Sequence, residues 1–184
     1  DGGGPALYAG GIFTTAGGVS ANRIAKWNGA SWSALGSGIT GVNAQVWALT
    51  VFDDGSGPAL YAAGYFDTAG GISVNSIAKW NGSTWSALGS GVGGNGTAFA
   101  LVVYDDGGGP ALYAAGIFGS GSGSYIGKWN GSSWTDLGSG TNDEVDALAV
   151  FDDGGGPALY AGGIFTSAGG SGANRIAKWN GTDW

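Results

Sequence analysis

The stretch GGPALYAGGIFTTAGG, Gly3–Gly18, returns three times with small changes: SGPALYAAGYFDTAGG at Ser56–Gly71, GGPALYAAGIFGSGSG at Gly108–Gly123 and GGPALYAGGIFTSAGG at Gly155–Gly170. Aligned on Pro5, Pro58, Pro110 and Pro157, the copies stand 53, 52 and 47 residues apart; aligned on Trp27, Trp80, Trp129 and Trp179, the intervals are 53, 49 and 50. A period of about 50 that holds several short apolar runs broken by Gly and Asn belongs to sheet-forming repeats, not helical ones. A unit this small cannot hide its apolar side alone, so neighbouring units must share a core.

Each unit contains four candidate strands. The first is VDALAVF, Val145–Phe151, where Val145, Ala147, Ala149 and Phe151 are expected to share one face at period two. A DDGGGP loop leads to a second strand, ALYAGGIF, which begins after a proline placed where no amide donor is needed. A variable Gly-rich loop then precedes RIAKW, and the four residues between paired tryptophans, such as Asn28–Ser31, form a tight turn into a last strand, WSALG. That turn sets Trp27 against Trp32, and likewise Trp80 against Trp85, Trp129 against Trp134 and Trp179 against Trp184, as cross-strand packing pairs. The repeated Lys26, Lys79, Lys128 and Lys178 stand next to these rings, so cation–π contact is a secondary expectation.

Composition supports a folded, sheet-rich chain. With 43% hydrophobic residues against 10% charged ones, there is apolar surface to bury and too little charge to keep the chain open. Small residues between large ones in ALYAGG allow sheets to pack face to face. Six basic residues against thirteen acidic ones give a net charge of -7, and four of the six are lysines of one motif. Nucleic acid and anionic membrane surfaces both require clustered cations, so neither is an expected partner. The longest apolar run, Ala98–Tyr104, falls far short of the roughly 20 residues that span a bilayer, so no membrane insertion is expected. No Met precedes Asp1 and no basic-then-apolar leader is present, so the chain reads as a processed or partial product, and export is the favoured route.

LYAGG followed by a loop and IAKWNGASWSAL resembles a kelch-type blade. YAGGIFTTAGGVSANRIAKWNGASWSALGSG is more similar still to the Gly- and Trp-rich propeller repeats of exported bacterial surface proteins and of fungal cortical polarity-marker proteins. The resemblance covers essentially the whole chain and implies an all-β β-propeller of about four four-stranded blades with a period of about 50. The units fall at approximately 1–44, 45–97, 98–144 and 145–184 of one repeat domain. The first unit lacks its first strand and the last lacks most of its fourth, so the expectation includes a longer parent chain, a larger propeller, or one completed by self-association.

Candidate chemistry is sparse. The doublets Asp53 and Asp54, Asp105 and Asp106, and Asp152 and Asp153 sit in Gly-rich turns, where Asp caps its own backbone; Ca²⁺ is the competing reading. Asp143, Glu144 and Asp146 cluster in one unit, but no second carboxylate group stands opposite for glycosidase chemistry. His and Cys are absent, which removes imidazole- and thiolate-based triads and the usual zinc and copper ligands. Arg23 and Arg175 alone do not make a sialidase-like arginine cluster. Asn81, Asn95, Asn130 and Asn180 satisfy the N-glycosylation pattern while also fitting turn chemistry. No catalytic residue, metal site or cofactor is expected, and no binding residue is assigned.

The expected function is a non-catalytic extracellular or cell-surface scaffold or recognition module for a protein or glycan. Its specificity is expected in loops that differ between units, Gly91–Thr97 and Gly119–Ser124. The alternatives are a lectin-like module that stacks sugars on exposed aromatics and a structural subunit of a self-associating surface polymer.

Overall fold

A computed structural model describes residues 6–92, 96–118 and 124–184. The described residues form 21 strands and no helix, and every pairing is antiparallel. The loop stretches 93–95 and 119–123, expected to carry specificity, and the glycosylation candidate Asn95 lie outside the described residues. No helix among the described residues is long and apolar enough to cross a membrane.

The chain divides into two compact units, Asp1–Gly91 and Val92–Trp184. The first contains β1 (Leu7–Gly10), β2 (Thr15–Ala16), β3 (Val19–Ser20), β4 (Ile24–Trp27), β5 (Trp32–Ala34), β6 (Ile39–Thr40), β7 (Gln45–Asp53), β8 (Pro58–Tyr65), β9 (Thr68–Ala69), β10 (Ile72–Ser73), β11 (Ile77–Trp80) and β12 (Trp85–Ala87). They build a three-stranded sheet β1-β4-β5, a four-stranded sheet β12-β11-β8-β7, a small three-stranded sheet β10-β9-β6 and a separate hairpin β2-β3. Within this unit β1 packs against β7, and the core gathers Ile24, Leu35, Ile39, Val46, Leu60 and Phe66 with Trp80 and Trp85.

The second unit contains β13 (Thr97–Asp105), β14 (Pro110–Ile117), β15 (Ile126–Trp129), β16 (Trp134–Asp136), β17 (Val145–Asp152), β18 (Pro157–Gly163), β19 (Ser167–Ala168), β20 (Ser171–Gly172) and β21 (Ile176–Trp179). A four-stranded sheet β13-β14-β15-β16 packs against a three-stranded sheet β17-β18-β21 through β13, β14 and β17. Its core holds Tyr113, Ile126, Leu137, Val145, Leu159 and Phe165. The six middle residues of β14, Ala111–Gly116, are all buried, as are the corresponding residues of β8. A strand covered on both faces has room mainly for small side chains, which accounts for the Ala and Gly between its Leu and Tyr.

The expected variable loop between the second and third strands is more ordered than its composition suggests. In three repeats it contains a two-residue hairpin whose central glycines, Gly17–Gly18, Gly70–Gly71 and Gly169–Gly170, all have positive φ. Two consecutive positive φ values are the signature of a type I′ turn, which glycine adopts without steric cost.

The expected shared face of Val145, Ala147, Ala149 and Phe151 is corrected by the structure. Val145 is fully buried, whereas Ala147, Ala149 and Phe151 are exposed and Leu148 joins the core beside Val145. The cause is a β-bulge: Val145 pairs with Gly163 and Ala147 with Gly162, which makes Asp146 an extra residue. An inserted residue moves everything after it to the opposite face. Matching bulges lie between Val46 and Ala48 in β7 and between Ala98 and Ala100 in β13.

Candidate functional site

The opposite ends of the first two strands of each repeat differ in chemistry. At the turn end, the first Asp of each doublet caps the loop. Asp53 accepts hydrogen bonds from the Gly55 and Gly57 amides at 2.9 and 3.0 Å, and Asp105 and Asp152 do the same for Gly107 with Gly109 and Gly154 with Gly156. This is the capping expected of Asp in a Gly-rich turn.

The second Asp has a partner that sequence reading did not find. Lys79 donates to Asp54 at 2.5 Å and the Tyr61 hydroxyl donates to the same carboxylate at 2.9 Å. Asp106 takes Lys128 and Tyr113, and Asp153 takes Lys178 and Tyr160, in the same way. The ladder makes this inevitable once the sheet forms, because Tyr61 and Lys79, Tyr113 and Lys128, and Tyr160 and Lys178 are directly opposed across adjacent strands. Each lysine also lies 5.7 to 5.8 Å from the centre of its opposed tyrosine ring. In these three repeats the cation–π partner is therefore that tyrosine.

Electrostatics follow from these contacts. Burial alone would raise the Asp54 carboxyl, but hydrogen bonds from Lys79, Ser56 and Tyr61 outweigh it and hold it well below the usual carboxylate range. Burial likewise acts to raise the Asp106 carboxyl, but the hydrogen bonds from Lys128 and Tyr113 outweigh it and hold it below the usual value. Asp153, open to solvent, is drawn down to about 2 chiefly by Lys178. Burial and then the Asp hydrogen bond push Tyr61 and Tyr113 far above the ordinary phenol range. Every carboxylate of the three doublets is thus engaged with the protein itself. Among the described residues no group of three or more His, Cys, Asp or Glu side chains is arranged to hold a metal ion.

The tryptophan pairs meet as expected. Trp27 opposes Trp32, Trp80 opposes Trp85 and Trp129 opposes Trp134 in the ladders, with ring centres 5.3 to 5.5 Å apart, and Trp179 stands 5.4 Å from Trp184. The second ring of a pair also ties sheets together: the Trp85 indole donates to the Leu35 carbonyl and that of Trp184 to the Leu137 carbonyl, both at 2.9 Å. Asn28, Asn81, Asn130 and Asn180 each accept from two turn amides through the side-chain carbonyl, so the turn reading of these asparagines holds.

The bulge end carries the candidate site. Trp47, Phe99 and Asp146 occupy the bulges of β7, β13 and β17, the same place in three near-identical frames. Beside each bulge, Gln45 opposes Tyr65 and Thr97 opposes Ile117, while the Ile164 amide bonds the Glu144 carbonyl. The geometry is enforced by glycine: a Cβ on Gly64, Gly116 or Gly163 would sit inside the carbonyl oxygen of Gln45, Thr97 or Glu144. Large apolar side chains are exposed here, with Trp47 at 48%, Tyr65 at 40% and Ile164 at 50%. Trp47 donates its indole N–H to the Gln45 side-chain carbonyl at 2.9 Å.

In the last repeat this end is acidic. Burial, a hydrogen bond shared with Asp146, and the charges of Asp146 and Asp143 raise the Glu144 carboxyl above its usual value. Arg175 lies at φ 65 in the connection that receives the Gly163 amide, and Arg23, at φ 61, donates from Nε to the Ala44 carbonyl.

Sequence reading passed over Trp47 and Phe99 and met Asp146 only as a member of the cluster with Asp143 and Glu144, although a signal existed. Trp47 is the one tryptophan of nine outside the paired motif, and all three positions differ where the surrounding strand is nearly constant. Comparison of the chain with family models, with curated proteins and with solved structures returned no match.

Proposed function

We propose that the chain is a non-catalytic recognition scaffold of β-propeller type, acting outside the cell or at its surface. The reading rests on one observation: the same backbone bulge, protected by the same glycine, presents Trp47, Phe99 and Asp146 in successive repeats. Trp47 and Asp146 are exposed and Phe99 is half-buried, and a constant frame whose side chain changes is the arrangement expected where a position serves binding and not packing. The four repeats, the face-to-face packing within each unit and the Trp-pair turns support the propeller assignment.

The test is the double variant Trp47→Ala/Asp146→Ala, followed by thermal melting and by flow cytometry of the labelled chain on intact cells. Exposed presentation residues should change stability by less than about 0.5 kcal/mol, or about 1–2 °C for a chain of this length, while cell-surface staining falls. A melting loss of several degrees would make them packing residues, and unchanged staining would remove recognition from the bulges.

A further inference from the structure

We infer that Gln45, Trp47 and Tyr65 form a binding subsite for a neutral pyranose sugar. The inference rests on the recognition reading above and names its ligand class. Gln45 and Tyr65 are directly opposed in the β7–β8 ladder, so their side chains leave the same face of the sheet. The indole of Trp47 reaches the Gln45 carbonyl, which brings the third side chain onto that face and fixes its ring.

Three consequences follow. The indole N–H is already satisfied, so what Trp47 presents to solvent is its apolar surface, at 48% exposure. The Gln45 amide nitrogen brings two donors, and the Tyr65 hydroxyl can donate or accept. A pyranose offers the complement, an apolar face of C–H groups edged by hydroxyls, and two aromatic rings beside an amide match both parts. Holding the indole in place before binding reduces the ordering cost of capture. Gln45, Trp47 and Tyr65 bring no formal charge to the site, which suits an uncharged ligand. The corresponding end of the last repeat, with Glu144 and Asp146, lacks both aromatic rings and carries charge.

The experiment titrates the full chain with cellohexaose, maltohexaose and xylohexaose, with tetragalacturonate as an anionic arm because the Arg23 guanidinium reaches Ala44, next to Gln45. Tryptophan fluorescence and calorimetry are the readouts. Saturable binding to at least one neutral sugar is expected. Trp47→Ala should weaken it by roughly tenfold or more, the cost of truncating an aromatic anchor. Trp47→Phe should keep most of the affinity. Gln45→Glu, which retains the acceptor for the indole but removes the amide donors, should weaken binding by several-fold, and Val51→Ala, at an exposed residue toward the turn end of β7, should leave it unchanged. No saturation at about 10 mM sugar, equal binding by Trp47→Ala, or tighter binding of tetragalacturonate overturns the assignment. Absent sugar binding combined with lost cell staining in the double variant would sink the sugar inference alone, while a melting loss in that variant would sink the recognition reading beneath it.

Discussion

The two ends of the same strand pair are built on opposite principles. At the turn end of β7 and β8, Asp53, Asp54, Tyr61 and Lys79 bond to one another and to the loop, and the same residue types recur in β13–β15 and in β17, β18 and β21. At the bulge end the backbone recurs but the side chains do not, passing from Trp47 to Phe99 to Asp146. Constant chemistry that satisfies itself stabilises the fold, whereas constant geometry with changing chemistry leaves surface available for a partner.

The comparison breaks first at glycine. Gly163→Val places a branched side chain against the Glu144 carbonyl and should destabilise by about 1–3 kcal/mol, seen as a lower melting temperature. Its φ is not in the left-handed region, so the cause is collision and not backbone strain. Gly172→Val, in the same repeat, meets nothing within 4 Å and should leave melting unchanged. Equal losses in the two variants would contradict the bulge account.

The turn end is sharpened by neutralising its carboxylates one at a time. Asp106→Asn leaves Lys128 without its ion partner at a site where the two side chains are 13% and 25% exposed, at a cost of about 1–2 kcal/mol in denaturant unfolding. Asp153→Asn removes the same contact where both groups are open to water, and its effect should be distinctly smaller. If both cost the same, burial does not govern the strength of the pair.

The ends also titrate with opposite sign. Glu144 has a raised carboxyl in the folded chain, so its stabilising contribution is complete below the ordinary carboxylate value of about 4.3 and is lost as pH rises through the raised value. Asp54 and Asp106 have lowered values, so theirs is present above about 3.9 and lost as pH falls through the folded values. Melting temperature should therefore rise modestly on mild acidification from neutrality and drop below about pH 4. Asp146→Asn should flatten the rise and spare the acid loss; an unaltered profile would separate Glu144 from Asp146.

Much of the fold was legible in the chain because its signals are local. VDALAVF became β17, RIAKW became β21 from Ile176, and WSALG became β5, with Asn28 closing the turn between paired tryptophans. The AGG hairpins were hidden inside a stretch whose composition reads as loop, since two-residue strands are too short to show a period. The candidate site was the least legible part. Trp47 stands apart from the paired tryptophans in the sequence, but only the register of β7 on β8 sets it on a bulge.

Repeat length, turn chemistry, the absence of an imidazole or thiol and the commitment to sheet were all decided by residue order, because each depends on neighbours within a few positions or on composition alone. Which residue of a strand faces the core, which Asp meets which Lys some 22 to 25 positions away, and which tryptophan reaches solvent were decided only by tertiary structure. The reason is physical: an inserted residue costs little in its own strand, yet it reverses the facing of all that follows, and only the paired strand reveals that it is there.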